Sequence, residues 1–283
     1  EWHRALRYQF PVASRPERCK VRDDAMADRF GELLHLFGVS AVHLHHLLGW
    51  PVALAEVLQA RGLPYAYTIH DYYCVCPSLN LLDLSSRPIR RCSAESFDEA
   101  VCPACLAAYR RGWRETATPL QVTDWNAHRE AFRVLLRGAQ RLIAPSRCAL
   151  QTATQGLGWS DGRTTIIPHA SLLTEAPPRP LPGRSATRHG PLRIGLVGRV
   201  GAPEKGADRC LALLERLQDL PCEWHVFGNV GRGDFAQQLR TCLRGDRIHL
   251  HGAYAQGDIA DLLREAEVDL TLSLSLAAEA YCY

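Results

Sequence analysis

Lysine is almost missing from this chain. Of its 33 basic residues 31 are arginine, and only Lys20 and Lys205 carry an ammonium. A compact, strongly hydrated point charge is thus a rare choice here, so its appearance at residue 205, in a glycine-rich turn, singles that turn out. Long apolar runs are missing too: none approaches the ~18 residues of a membrane-spanning helix. The net charge of +3 is too small to argue for a nucleic-acid partner. The first residues, Glu1-Trp-His-Arg, have neither an initiator methionine nor a secretory apolar segment, which leads us to expect a cytoplasmic protein seen as a fragment or excised domain. No repeat or low-complexity segment is visible. Nor is the dinucleotide fingerprint G-x-G-x-x-G present, and the strand after the glycine turn ends in Gly228-Asn229 where a ribose-binding acid would stand, which argues against a nicotinamide dehydrogenase.

What is present is ordinary for a globular protein: 283 residues, 47% hydrophobic and 22% charged, enough for two domains with a core each. Between 174 and 191 the chain holds Pro177, Pro178, Pro180, Pro182 and Pro191 with Gly183 and Gly190. Such a stretch is a linker, dividing a first domain, 1–173, from a second, 192–283. Beyond the linker, strands predicted at 192–198, 222–228, 247–251 and 268–274 alternate with helices at about 205–217, 234–243 and 257–266. That alternation predicts a parallel sheet with right-handed crossovers. Before the linker the pattern predicts a helix from Asp23 ending near Gly38, a strand around Val42, a helix from Pro51 to Arg61 and a strand Tyr65–Ile69. A long helix centred on 125–136, a strand Arg141–Ala144 with Ser146 capping the next helix, and a strand end at Thr165–His169 complete it.

Four places carry chemistry. In the turn after the strand at 192, Gly195, Gly198, Gly201 and Gly206 permit close backbone approach, Arg199 and Lys205 supply cations, and a helix begins nearby. This combination suits a phosphate or diphosphate, the alternative being a βα turn with two solvated cations. His43, His45 and His46 follow one strand; a metal there needs a third ligand and an oriented second shell, against core packing for His43 and a substrate-facing loop for His46. His70 and Asp71 stand at the carboxyl end of the next strand, where ligands of open α/β sheets bind, although an Asp there also serves as a helix cap. Cys74 and Cys76, Cys92, and Cys102-Pro-Ala-Cys105 punctuate a polar, proline-interrupted loop at about 74–105. Its spacing suggests a structural zinc on Cys76, Cys92, Cys102 and Cys105, with reduced thiols or disulfides as the alternative. The remaining six of the eleven cysteines are scattered like small buried hydrophobes. Arg110, Arg111 and Arg114 with Tyr109 and Trp113 suit either an anionic membrane surface or a solvated helix.

Taken in order, these residues resemble a family: the GT-B glycosyltransferases, and among them the large retaining group called family 4. The likeness is carried by Val42-His-Leu-His-His46, Thr68-Ile-His-Asp71, Ala144-Pro-Ser146 and Ile166-Ile-Pro-His169. It continues in Gly195-Leu-Val-Gly-Arg199 with Lys205-Gly206, His225-Val-Phe-Gly228, Leu250-His-Gly252 and Ala277-Ala-Glu279. The cysteine-bearing insertion is similar to that of bacterial members that build surface polysaccharides. The resemblance implies an α/β fold of two Rossmann-like domains facing a cleft, the second truncated, with a nucleoside diphosphate sugar held mainly by the second domain. By the same likeness Arg199 and Lys205, with Gly198 and Gly201, bind the donor diphosphate. His70 touches the donor sugar, and Glu279 is the first acid of a glutamate pair facing that sugar. His46, Asp71, Ser146 and His169 fall on the acceptor side or in the cleft. The implied activity is transfer of a sugar, with retention, to a glycan or lipid-linked acceptor in the cytoplasm or at the inner face of its membrane. The alternatives are a non-catalytic module of a larger polysaccharide-synthesis protein and a sugar-nucleotide epimerase of the same fold.

Overall fold

The computed structural model describes residues 21–110, 122–158, 162–168, 190–230, 234–242 and 247–277. The chain clusters into two compact units, the first taking residues up to 81 and 93–168, the second 82–92 and 169–278. Residues 82–92, read from the sequence as part of a first-domain insertion, therefore group with the second unit. Nearly all of the expected linker lies outside the described residues, as does most of the arginine-rich stretch after Tyr109.

In the first unit the order is α1 (Asp24–Leu36), β1 (Val42–Leu44), α2 (Leu54–Ala60), β2 (Tyr65–Thr68) and, past a short hairpin β3 (Leu82–Asp83) and β4 (Arg90–Arg91) that belongs to the second unit, α3 (Cys102–Arg110). It continues with α4 (Val122–Gly138), β5 (Arg141–Ala144), α5 (Arg147–Leu157) and β6 (Thr164–Ile166). The four strands form a parallel sheet in the order β1-β2-β5-β6. Helix starts follow local chemistry. The Asp23 carboxylate accepts from the Met26 amide at 2.9 Å, and the Ser146 hydroxyl accepts from the Ala149 amide at 3.1 Å, each meeting a donor that the first turn leaves unpaired. Helix α2 starts at Leu54, later than expected from Pro51, because residues 51–55 take tighter i→i+3 bonds, with the Leu54 and Ala55 amides on the Pro51 and Val52 carbonyls.

The second unit runs β7 (Leu192–Val197), a single 3₁₀ turn (Pro203–Lys205), α6 (Ala207–Arg216), β8 (Cys222–Phe227), α7 (Asp234–Thr241) and β9 (Ile248–Gly252). A second 3₁₀ turn (Gln256–Asp258), α8 (Ile259–Glu265) and β10 (Leu270–Leu272) follow. All four large strands are parallel, in the order β10-β7-β8-β9. One face of this sheet buries Ile194, Leu196, Trp224 and Val226 against Cys210 and Leu214 of α6 and Leu239 of α7. At ~25 cal/mol per Å² of apolar surface, such burial is what holds the layer down. Strand β10 is three residues long, shorter than the predicted 268–274, because its chain leaves the sheet after Leu272 toward the turn after β7, where the Leu276 and Ala277 amides bond to the Glu204 carbonyl. Among the described residues no helix is long and apolar enough to cross a membrane.

The first unit's core is aromatic. Tyr73 and Phe132 meet edge to face at 5.5 Å, and His128 packs on Phe132 at 4.9 Å. His128 donates from Nε2 to the Tyr73 carbonyl at 2.6 Å, while its buried Nδ1 has no partner among the described residues. Burial pushes the ring's pKa from 6.5 down to about 4, with the neighbouring Arg129 charge acting in the same direction. An unfolded chain takes up this proton near 6.5 and the folded one does not, so stability is complete above that pH and is lost as pH falls toward 4. The expected slope is up to roughly 1.4 kcal/mol per pH unit. Urea titrations from pH 7 to 4 should show it, and a His128→Gln variant should flatten it.

Candidate functional site

In the second unit, β8 and β9 lie on one side of β7 and β10 on the other, so the order of strands reverses between β7 and β10. At such a reversal the crossovers leave in opposite directions and a crevice opens beyond the carboxyl ends of the strands. A pocket occupies this place, with about 330 Å³ of empty space counting its open mouth. Its floor is Leu196 and Val197 of β7 and Leu272 of β10 with Ser273 to Ser275 after it, and its wall is Val200, Lys205 and Cys210 from the turn and α6.

The wall is a loop that must lie very close to the strand ends. A Cβ added at Gly201 would fall on the Val230 carbonyl oxygen, and one at Gly206 on the Leu274 carbonyl oxygen, where the backbone also sits at φ 83°. Only glycine fits either position. The turn is tied down by one carbonyl. The oxygen of Glu204 accepts from the Leu276 amide (3.0 Å), the Ala277 amide (3.3 Å) and the Ser275 hydroxyl (3.1 Å), which fastens the segment after β10 to the loop after β7. Helix α6 then begins with Gly206, which has no side chain to cap the amides of the first turn.

Lys205 lines this pocket. Arg199 stands on the same loop, 77% exposed, with its guanidinium 3.8 Å from the Glu204 carboxylate. That distance and exposure make a weak ion pair, worth at most about 1 kcal/mol. Gly198, at φ 102°, ends β7 with its amide on the Phe227 carbonyl at 2.8 Å. The sequence pointed to the cations and glycines; Glu204, Leu274 and Ser275, which shape the pocket with them, gave no signal because their roles depend on chain neighbours about 70 residues away.

The first unit gathers a second group at the ends of β1 and β2. The His46 Nδ1 accepts from the Leu48 amide at 2.9 Å, so its proton is on Nε2, which donates to Asp71 Oδ2 at 2.8 Å. The other oxygen of Asp71 accepts from the Tyr73 amide at 2.8 Å, and Tyr73 stacks on the His46 ring. His45 Nδ1 lies 2.9 Å from His70 Nε2. His43 bonds to Thr68 Oγ1 at 2.7 Å, and burial lowers its pKa, helped by the nearby His45. The expected pairing of the two strand-end motifs thus takes the form of hydrogen-bonded couples, His46 with Asp71 and His45 with His70. Asp71 and Ser146 also have the structural duty that the sequence allowed them, the second as a helix cap. His169 and Glu279 lie outside the described residues.

Among the described residues the cysteines form no group of three whose sulfur atoms all lie within 4.8 Å of one another. The Asp98 amide donates to Cys102 Sγ at 3.3 Å, and Cys105 is buried. The spacing Cys-x-x-Cys here opens helix α3 and packs one of its thiols inward. One described cluster does meet that criterion, and the sequence reading missed it: Glu223, His225 and His249, across β8 and β9.

No protein-family model matches the sequence, and no curated protein matches it. Solved structures do. The lipopolysaccharide outer core galactosyltransferase WaaB, in its apo form, is 13% identical with a TM-score of 0.50, over 89% of this chain and 54% of that one. HepE of Anabaena in complex with UDP-glucose is 15% identical with a TM-score of 0.47, over 88% and 56%. Sucrose-phosphate synthase from Thermosynechococcus elongatus is 14% identical with a TM-score of 0.48, over 89% and 54%. The likeness to the galactosyltransferase is one of fold: this chain has the α/β fold of the GT-B glycosyltransferases. It spans a little over half the length of each of these chains.

The close approach of the turn to the strand ends is directly testable. Gly206→Ala forces a side chain onto the Leu274 carbonyl at a positive φ and should destabilise the second unit by about 1–3 kcal/mol in urea titration. Gly257→Ala, which meets nothing within 4 Å, should stay within about 0.5 kcal/mol of the parent.

Proposed function

We propose that the turn at 198–206 binds the diphosphate of a nucleoside diphosphate sugar, and that the whole protein is a retaining glycosyltransferase acting on a glycan or lipid-linked acceptor. The observation that carries this is the coincidence, at the point where strand order reverses, of a pocket lined by Lys205 with an uncapped helix start. Each of these features favours an anion, and all three meet on one loop.

In this reading Lys205 presents a point charge to the phosphates, and Arg199 a two-pronged donor that trades its loose contact with Glu204 for a phosphate oxygen. The trade costs little because the existing ion pair is exposed. As the glycosidic bond breaks, negative charge grows on the departing diphosphate. Two cations already in place stabilise it without reorganisation, which is the largest contribution such a site makes to rate. His70, paired with His45, contacts the donor sugar, Glu279 faces it, and His46 with Asp71, Ser146 and His169 serve the acceptor side. A zinc on the cysteines takes no part in this chemistry. A lipid-linked acceptor would place the reaction at the cytoplasmic face of a membrane.

Calorimetric titration of the whole protein with a panel of nucleoside diphosphates tests the reading. Binding is expected, weakened about 10- to 100-fold by Arg199→Ala or Lys205→Ala, the equivalent of roughly 1.5–3 kcal/mol for a charge-assisted hydrogen bond. No binding, or binding indifferent to both substitutions, overturns it.

A further inference from the structure

Strands β8 and β9 carry an alternation that nothing in the proposed sugar chemistry uses. Glu223, His225 and Phe227 share one face of β8, and His249 and His251 share the same face of β9, since His225 pairs with His249 in a parallel ladder. We infer that Glu223, His225 and His249 form a binding site for a divalent transition-metal ion, zinc by the nature of the donors, on the sheet of the second unit.

Four observations lead there. The first is the state of His225. Its side chain is only 8% exposed, and among the described residues its Nε2 has no hydrogen-bond partner. A buried imidazole nitrogen left without a partner is costly and calls for an explanation. The second is where that nitrogen points. Glu223 Oε2 is 3.9 Å away, too far for a hydrogen bond, and one ligand atom each from Glu223, His225 and His249 lies within 4.8 Å of the others. Two donors about 2.1 Å from one tetrahedral zinc stand about 3.4 Å apart, so a small closing movement of these side chains completes the geometry.

The third observation is the outer support. His225 Nδ1 lies 3.0 Å from His251 Nε2, and the His251 ring is stacked on Phe227 at 4.1 Å with 7° between planes. A ligating imidazole needs a partner on its far nitrogen: with the proton on Nδ1 donated to His251 Nε2, the Nε2 lone pair of His225 is left for the metal. The Arg193 Nε donates to Glu223 at 2.9 Å and sets that carboxylate from the β7 side. The fourth is charge. Arg193 is outnumbered by three carboxylates, for besides Glu223 it meets Glu267 at 2.5 Å, and Asp269 accepts its backbone amide at 2.8 Å. With neutral imidazoles the surroundings are negative, as a cation requires. Two nitrogens and one carboxylate oxygen match zinc and other borderline ions, and leave a fourth position for water or for a group supplied by a ligand.

The test uses the purified chain after chelation, titrated with zinc by calorimetry and with cobalt(II) by visible absorption. One equivalent is expected, with the visible bands of low-coordinate cobalt and without the near-ultraviolet charge-transfer bands that thiolates give. His249→Ala and Glu223→Gln should each weaken binding by about 100-fold or more, and His251→Phe, which keeps the ring stack but removes the supporting nitrogen, by about 10-fold. These variants leave the buried His225 in place, so folding is preserved and checked by circular dichroism. Failure to take up either metal, or uptake that survives His249→Ala and shows thiolate bands, overturns the site.

Discussion

The architecture of the second unit turns on one steric demand: the loop after β7 has to lie against the ends of its neighbouring strands with no side chain in between. Where β7 and β10 part, their carboxyl ends leave a crevice, and a loop held a few ångströms further out would leave it open to water. Gly201 and Gly206 permit the approach, against Val230 and Leu274 respectively. One carbonyl, that of Glu204, then fastens the segment after β10 to the same loop with three hydrogen bonds. The pocket, the position of Lys205 in it and the bare start of α6 all follow from this contact.

The polar groups of the two units are in contrasting states. At the strand ends of the first unit, His46, Asp71 and the Tyr73 amide satisfy one another, as do His45 and His70, so their directions are fixed before any ligand arrives. At the turn of the second unit, Arg199 is solvated and only loosely matched to Glu204, and α6 starts without a side-chain cap. One arrangement is preorganised. The other is receptive, because displacing water and a weak ion pair costs little. An arginine-dominated chain that keeps a lysine for this place is consistent with a need for a point charge inside a tight pocket.

Much of the fold could be read along the chain. Strand β5 occupies the predicted residues, β7 and β8 end one residue short of the predicted limit, and Ser146 and Asp23 cap helices as their types suggest. Local patterns of period two and period 3.6, with caps and glycines, suffice for this. What could not be read depends on contacts far apart in sequence. That β10 returns to the far side of β7, that residues 82–92 belong with the second unit, and that Glu223 and His225 stand beside His249 are matters of topology and register. The cysteines show the same limit from the other direction: a Cys-x-x-Cys spacing fits zinc and equally the first turn of a helix, which is where Cys102 and Cys105 stand. Likewise three histidines in four residues left a metal, core packing for His43 and a substrate-facing loop for His46 open, and the pleat and the turn after it sent them to Thr68, His70 and Asp71 separately.

The central claim is that the backbone and cations of residues 198–206, with the start of α6, close on a diphosphate. Amide hydrogen exchange of the whole protein with and without a saturating nucleoside diphosphate measures this at the residues concerned. The account predicts slowed exchange at the amides of 199–209 and of the segment 274–277 that Glu204 holds. Nucleotide binding that leaves these amides unchanged, with protection confined to the strand ends of the first unit, would contradict it.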